Sequence, residues 1–247
     1  MTAKEKESIY RLLYTSASWM LGYAAPEYDA PCFQDDIYIQ EKQNAPSPSL
    51  ESIAAKIAGC TNCVLHEKRL NTVPGEGASN PFVMVIGEGP GEDEDKTGRP
   101  FVGRAGQLLD KMLAAIKLAR TCNCYIANIV KCRPPQNRTP SPQEAEACSG
   151  YLQAQIHLLR PKMILAMGRT AVQNLLQTSQ GINALRGKFF AYNDIPLLAT
   201  YHPSALLRNE ELKRPAWEDL KIFMAKLQEL YPDYADAFIA SHAQGGR

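Results

Sequence analysis

A chain of 247 residues with 45% hydrophobic residues suits one substantial domain with an extension, and 27 Lys plus Arg against 26 Asp plus Glu leave no global field that would mark a nucleic-acid binder. No apolar run approaches a membrane span and Met1-Thr2-Ala3-Lys4-Glu5-Lys6 lacks the apolar core of a signal peptide, so no membrane role and a cytoplasmic location are expected. Seven cysteines in a reducing compartment then point to metal binding, not to a disulfide framework.

Ile9, Leu12, Leu13 and Trp19-Met20 give residues 5–21 the spacing of an amphipathic helix. Pro26, Pro31, Pro46 and Pro48 break up the polar segment that follows, to about residue 49, which reads as a linker or loosely packed arm. Cys32 stands alone in it and is assigned no chemistry. Ser49 is placed to cap a short helix through Ile53 and Ile57, with Ser52 as a competing start, and that helix runs into Gly59-Cys60-Thr61-Asn62-Cys63. The Cys-x2-Cys pair is half of a zinc or iron-sulfur site; a thioredoxin-like pair would open a helix instead of following one.

The run Val83-Met84-Val85-Ile86, stopped by Gly87-Glu88-Gly89-Pro90-Gly91, predicts a buried strand. Leu108, Leu109, Met112, Leu113 and Ile116 predict a helix from Arg104 to about Ala119. The intervening loop, roughly 87–103, is too long for a turn, and in an open α/β sheet the ligand crevice lies just beyond such strand ends. It carries neither a Walker nor a dinucleotide fingerprint, and Glu88, Glu92, Asp93, Glu94 and Asp95 would repel a nucleotide's phosphates. Pro100-Phe101-Val102 is left as an apolar segment between glycines.

A second strand over 124–130 ends at Lys131-Cys132-Arg133-Pro134-Pro135, where the prolines cannot continue a ladder. Ser141-Pro142-Gln143-Glu144 supplies a cap, a first-turn proline and a capping-box acid for a helix that carries Cys148 and runs to Pro161. Cys132 and Cys148 flank a proline-rich loop and can join Cys60 and Cys63 in one four-thiolate site that accepts either zinc or an iron-sulfur cluster. Residues 162–168 form the third strand and 169–176 its helix; 181–192 read as a compact loop or hairpin carrying Arg186 and Lys188. The fourth strand, 196–200, ends at Tyr201-His202-Pro203-Ser204, Trp217, Leu220, Phe223, Met224 and Leu227 mark a closing helix, and 231–247 reads as a short helix and frayed tail.

Strands alternating with helices give an α/β fold with a four-stranded parallel sheet, and Glu88, Asn128 and His202 share its carboxyl rim. No Gly-x-Ser-x-Gly elbow is present, and four histidines without metal spacing argue against a di-metal hydrolase. A carboxylate, a carboxamide, an imidazole and an aromatic instead suit a flat polar heterocycle: Phe101 to stack, Asn128 to pair with an imide or amide edge, His202 to stabilise negative charge on a departing group.

Gly-Glu-Gly-Pro-Gly, Gly-Arg-Pro-Phe-Val-Gly-Arg-Ala-Gly, Asn-Ile-Val-Lys-Cys-Arg-Pro-Pro and His-Pro-Ser-Ala-Leu-Leu-Arg, in this order, resemble the iron-sulfur uracil-DNA glycosylases called family four, over about residues 50–230. The resemblance implies a three-layer α/β/α catalytic domain there, with an N-terminal helix and arm over 1–49 and a tail over 231–247. It implies hydrolysis of the N-glycosidic bond of deoxyuridine in base excision repair. It also implies a structural 4Fe-4S cluster on Cys60, Cys63, Cys132 and Cys148, and a monomer acting on single- and double-stranded DNA containing uracil. Carried over by position, Phe101 stacks, Asn128 reads uracil, His202 supports the leaving anion, and Glu88 holds uracil or the attacking water. Gly87 and Gly89 line the base site and Glu94 crowds the C5 side. The loop from Ser204 to Arg208 enters the minor groove with Leu206 as the wedge. Gly89 stands where the best-known glycosylase family has a water-activating aspartate. Arg133, Arg138, Arg169, Arg186, Lys188 and Arg208 are the expected phosphate contacts. The competing reading is a metal-stabilised nucleic-acid-binding protein that recognises uracil or another flipped base without cleaving it.

Overall fold

The computed structural model describes residues 3–20 and 49–243, and the chain divides into two compact units, Met1–Ser47 and Pro48–Arg247. Of the first unit, helix α1 spans Ala3–Met20, close to the expected 5–21. The proline-containing arm up to residue 48, Cys32 included, lies outside the described residues.

The second unit runs α2 (Leu50–Ala58), β1 (Glu76–Gly77), β2 (Val83–Gly87), α3 (Glu92–Thr97), α4 (Arg104–Ala115), β3 (Cys124–Asn128) and α5 (Pro142–Leu159). It continues with β4 (Met163–Met167), α6 (Arg169–Leu176), α7 (Ile182–Leu185), β5 (Phe189–Tyr192), β6 (Ile195–Thr200), α8 (Pro203–Arg208), α9 (Lys213–Leu230) and α10 (Asp236–Ala243). The caps follow the sequence. Ser49 and Ser52, the two competing starts of α2, exchange a reciprocal capping box, each hydroxyl accepting the other's amide at 3.2 and 3.0 Å. Ser141 and Glu144 do the same at α5.

The sheet order is β1-β3-β2-β4-β6-β5, and the four expected strands form its parallel centre. Two antiparallel edges complete it. β5 pairs with β6 through Asn193 and Asp194, whose φ of 46° and 65° suit a two-residue hairpin turn, so the end of the segment read as a loop or hairpin is a hairpin strand, while its first part forms α7. β1 is only two residues, too short to show any alternation in sequence. The central strands are buried on both faces. Leu152, Ile156 and Val172 of α5 and α6 cover one face, and Leu109, Leu113, Leu220 and Phe223 of α4 and α9 cover the other, giving α/β/α layers.

Two expectations change. Helix α4 stops at Ala115, not Ala119, because Lys117 takes φ 59° and Asn123 organises the turn that follows. The Asn123 side chain accepts from the Ala119 amide at 2.9 Å and donates to the carbonyls of Lys117 (2.9 Å) and Tyr234 (2.8 Å). The segment after 230 is also more than a tail: Tyr234 and Phe238 are buried, and the Tyr234 hydroxyl donates to the Ile116 carbonyl at 3.1 Å.

Asn123→Ala strands three backbone groups on the Tyr234 side of the core. Chemical denaturation should show it less stable by about 2–4 kcal/mol. A variant as stable as the parent would show that the C-terminal segment does not depend on this side chain.

Candidate active site

The site begins with strand register. Gly87 of β2 lies opposite Asn128 of β3, and the ladder continues past both strands through Ile129 N to Gly87 O (3.0 Å) and Val130 N to Glu88 O (3.2 Å). A Cβ at Gly87 would collide with Asn128 Oδ1 and the Phe101 ring, so glycine here sets the distance between carboxamide and aromatic. Met167 of β4 pairs with Thr200 of β6, which brings Gly168 and His202 to the same rim. Together these ends enclose a cavity of about 630 Å³ lined by Glu88, Phe101, Asn128, Thr170, His202 and Arg208, with Gly89, Glu94 and Ser204 also in its wall.

Phe101 is buried with φ 53°, a conformation that costs a bulky residue of order 1–3 kcal/mol unless its surroundings hold it. Three contacts do so. Arg120 donates to the Pro100 carbonyl at 2.7 Å and the Phe101 carbonyl at 2.9 Å, itself held by Asp110. Gly106 of α4 sits directly beneath the Phe101 carbonyl, where any Cβ would overlap it. Glu94 clasps the far side: Oε1 accepts from the amides of Val102 (2.8 Å) and Gly103 (3.0 Å), and Oε2 from Gly91 (3.0 Å). Glu94, expected to crowd a base, therefore has both oxygens engaged in holding the aromatic's loop.

Two of the remaining acids of the 87–103 segment are also engaged. They lie on α3, a helix the sequence reading left as loop: Asp95 is buried and accepts from Leu70 and Asn71, and Glu92 pairs with Lys96 and Arg133. Only Glu88 faces the cavity from the head of the segment. Its Oε2 accepts from the Thr170 hydroxyl at 2.5 Å, a partner 82 positions away that sequence reasoning missed.

Asn128 is 1% exposed, and its Oδ1 is the one buried side-chain polar atom without a hydrogen-bond partner among the described residues. A buried carboxamide oxygen left unpaired costs about 1–3 kcal/mol, so it marks a place kept for a donor. His202 caps α8: its Nδ1 accepts from the Ser204 amide (3.2 Å) and lies 2.8 Å from the Ser204 hydroxyl. An amide can only donate, so Nδ1 is the acceptor and Nε2 carries the proton. Burial, with Arg208 adding to it, pulls the imidazole pKa down to about 4. The ring is thus a neutral N–H donor, packed 5.5 Å from the Phe101 ring at 34°.

Three of the side chains expected to contact DNA are taken up within the protein. Leu206, expected as the wedge, is 2% exposed because α8 turns it into the protein, while Leu207 beside it is 40% exposed and is the apolar side chain presented at this edge. Arg186 pairs with Asp219, with guanidinium contacts at 2.7 and 3.1 Å and a further bond to the Pro215 carbonyl. Arg138 is likewise bidentate on Glu144. Arg169 and Arg208 line the cavity with no side-chain hydrogen bond or ion pair among the described residues.

Cys60, Cys63, Cys132 and Cys148 converge on a second, small pocket between the end of α2 and the start of α5, and no disulfide joins them. Among the described residues no group of three His, Cys, Asp or Glu is arranged so as to hold a metal ion. Burial raises the Cys148 thiol pKa to about 11 and pushes Cys132 up as well, so neither ionises at neutral pH unless a cation compensates. Arg69, another residue the sequence did not single out, joins the two halves. It donates to Cys132 Sγ (3.2 Å), the Cys60 carbonyl (2.8 Å) and the Ala58 carbonyl (3.0 Å).

A model of the Uracil DNA glycosylase superfamily matches residues 74–221. The chain is similar to the type-4 uracil-DNA glycosylase of Thermotoga maritima, 44% identical over 176 residues that cover 70% of this chain and 91% of that protein. It is 41% identical to the type-4 enzyme of Sulfurisphaera tokodaii over 190 residues, 74% of this chain and 84% of the other. With that of Pyrobaculum aerophilum it shares 41% over 182 residues, 70% and 92% of the two chains.

The depressed His202 pKa has a stability consequence. The unfolded chain takes up the proton near pH 6.5 and the folded ring only near 4, so stability from the neutral ring is complete above 6.5 and lost as pH falls towards 4. The loss amounts to about 3 kcal/mol. Unfolding free energies measured from pH 7 to 4.5 should fall more steeply for the parent than for His202→Gln; parallel curves would show that the ring titrates normally.

Proposed function

The chain belongs to the uracil DNA glycosylase superfamily, and within it to the type-4 group, and from that membership we propose how its own residues carry the reaction. The protein is a monofunctional DNA glycosylase: it hydrolyses the N-glycosidic bond of deoxyuridine in DNA, releases uracil and leaves an abasic site for base excision repair. The observation that carries the residue-level reading is the orphaned Asn128 oxygen. Uracil offers N3–H to that acceptor and O4 to the carboxamide NH2, whereas cytosine presents a bare N3 and an amino group and mismatches both. The base reaches this edge only when rotated out of the stack, where Phe101 supplies the flat apolar face.

Bond cleavage sends the C1′–N1 electron pair into uracil, where charge accumulates on O2. His202 donates Nε2–H to that oxygen, and because Ser204 fixes its tautomer the donor is aimed before the charge appears. A water oxygen bonds to C1′ as the C1′–N1 bond breaks; uracil leaves as its anion and the proton shed by the water passes to solvent. Gly89 has no side chain to accept it. Glu88, with Oε2 held by Thr170, orients the water or the base through Oε1. Catalysis therefore leans on leaving-group stabilisation and not on a strong general base. Arg169 and Arg208 meet phosphates at the cavity mouth, Leu207 fills the space the base leaves, and a monomer acts in this way on single- and double-stranded DNA.

Cys60, Cys63, Cys132 and Cys148 hold a four-iron, four-sulfur cluster. The support is chemical: four soft donors meet in one pocket, and a guanidinium on Cys132 Sγ is suited to a sulfur that carries negative charge. When bound, the group ties α2 and the segment after it to the end of β3 and to α5. Cys60, Cys63 and Arg69 then hold one side of that tie, and Cys132 and Cys148 the other.

His202→Ala should keep near-normal affinity for uracil-containing DNA and excise uracil roughly 10² to 10³ more slowly in single turnover. An unchanged rate would remove His202 from the mechanism, and no uracil release by the parent protein would favour the non-catalytic binding reading. For the cofactor, the isolated protein should carry about four irons per chain and absorb visible light. Arg69→Met should lose that absorbance faster in air; a colourless protein with one zinc per chain would contradict the assignment.

A further inference from the structure

One side chain joins the cavity to the cysteine pocket. Lys131, which directly precedes Cys132, is 1% exposed, and its ammonium has no carboxylate partner among the described residues. Nζ donates to two neutral oxygens, the Asn128 carbonyl at 3.0 Å and Gln155 Oε1 at 2.7 Å. Burying a lysine with no carboxylate costs stability, offset in part by the Cys148 sulfur close to it, and an apolar chain of the same volume would pack the same space without that cost. The position is therefore explained by what the ammonium holds.

It holds the peptide on which Asn128 depends. β3 ends at Asn128, and the peptide linking it to Ile129 is gripped from both sides: the Ile129 amide donates to Gly87 O at 3.0 Å, and the Asn128 carbonyl accepts from Lys131. With that plane fixed, the Cα–Cβ bond of Asn128 has one direction, and the carboxamide follows it into the cavity wall beside Gly87. Gln155 accepts from the same Nζ and ties it to a second element. It lies on α5, the helix that carries Cys148, and its Nε2 donates to the Pro74 carbonyl at 2.7 Å.

We propose that Lys131 is a positioning residue for base recognition, fixing the Asn128 peptide against the cysteine-bearing helix so that the unpaired carboxamide oxygen meets N3–H of uracil. The proposal rests on the reading of Asn128 as the uracil reader. Lys131 does not touch the base; it acts through Asn128 alone.

The test uses Lys131→Met as the holoprotein, with folding checked by circular dichroism and the cysteine site by visible absorbance. Free uracil serves as competitive inhibitor, and an oligonucleotide carrying a tetrahydrofuran abasic analogue measures DNA affinity without a base. Uracil should inhibit Lys131→Met about tenfold more weakly than the parent and excision should slow, while affinity for the abasic analogue stays the same. Combined with Asn128→Ala, the substitution should add almost nothing, because both act on one contact. Parent-like uracil inhibition, or full additivity with Asn128→Ala, would overturn the proposal. If Asn128→Ala alone left uracil affinity unchanged, the reading of Asn128 would fail, a separate result that takes the Lys131 role with it. Should Lys131→Met not fold, Lys131→Gln decides, since its amide keeps a donor: recovery of uracil inhibition supports the role. A folded Lys131→Gln with weak uracil inhibition, or loss of fold in both variants, overturns it.

Discussion

The site depends on the in-register parallel pairing of β2 and β3. Gly87 lies directly across from Asn128, and its missing side chain leaves just enough room for a carboxamide and a phenyl ring on either side. A one-residue slip would turn Asn128 to the opposite face of the sheet and place a bulky residue at the position where only glycine fits. Both strands are buried on both faces under α4, α5, α6 and α9, so the layers that stabilise the fold also fix the register. Recognition geometry and core packing are in this sense the same structure.

Around that fixed pair the protein holds two unfavourable arrangements. Phe101 is kept in a left-handed conformation by Arg120, Gly106 and Glu94, which reach it from three directions. Asn128 is kept with a bare oxygen in a dry wall. Each lowers the stability of the empty protein, and each is relieved or used when a flat imide enters: the ring gains a stacking partner and the oxygen gains a donor. His202 belongs to the same design. It is neutral because desolvation disfavours its charged form, and it is aimed because the Ser204 amide occupies Nδ1.

Much of this was legible in the sequence because the signals are local. The four parallel strands are apolar runs stopped by glycine or proline, the caps of α2 and α5 are spelled by serine and glutamate, and Glu88, Asn128 and His202 each follow or end a strand. The rest is set by direction or by distance along the chain. Leu206 and Leu207 are neighbours with the same chemistry, and only the orientation of the short helix α8 decides which is buried. Glu94 reads by position as a group crowding the C5 side of the base until the backbone amides of Val102 and Gly103 are seen on it. Thr170, Arg120 and Arg69 fall in no motif, and Lys131 lies inside one with no role readable there; each is defined by a partner on another element, and for three of them the charge could equally have sat on the surface.

The central claim is that a buried, unpaired carboxamide oxygen selects uracil by its N3–H. The most direct measurement places deoxyuridine or N3-methyldeoxyuridine at the same position of one single-stranded oligonucleotide and compares single-turnover base release by the iron-loaded protein. Uracil should be released, and the methylated base, which has no N3–H to offer, should leave more slowly by roughly 10²-fold or more. Equal release of both bases would contradict the account.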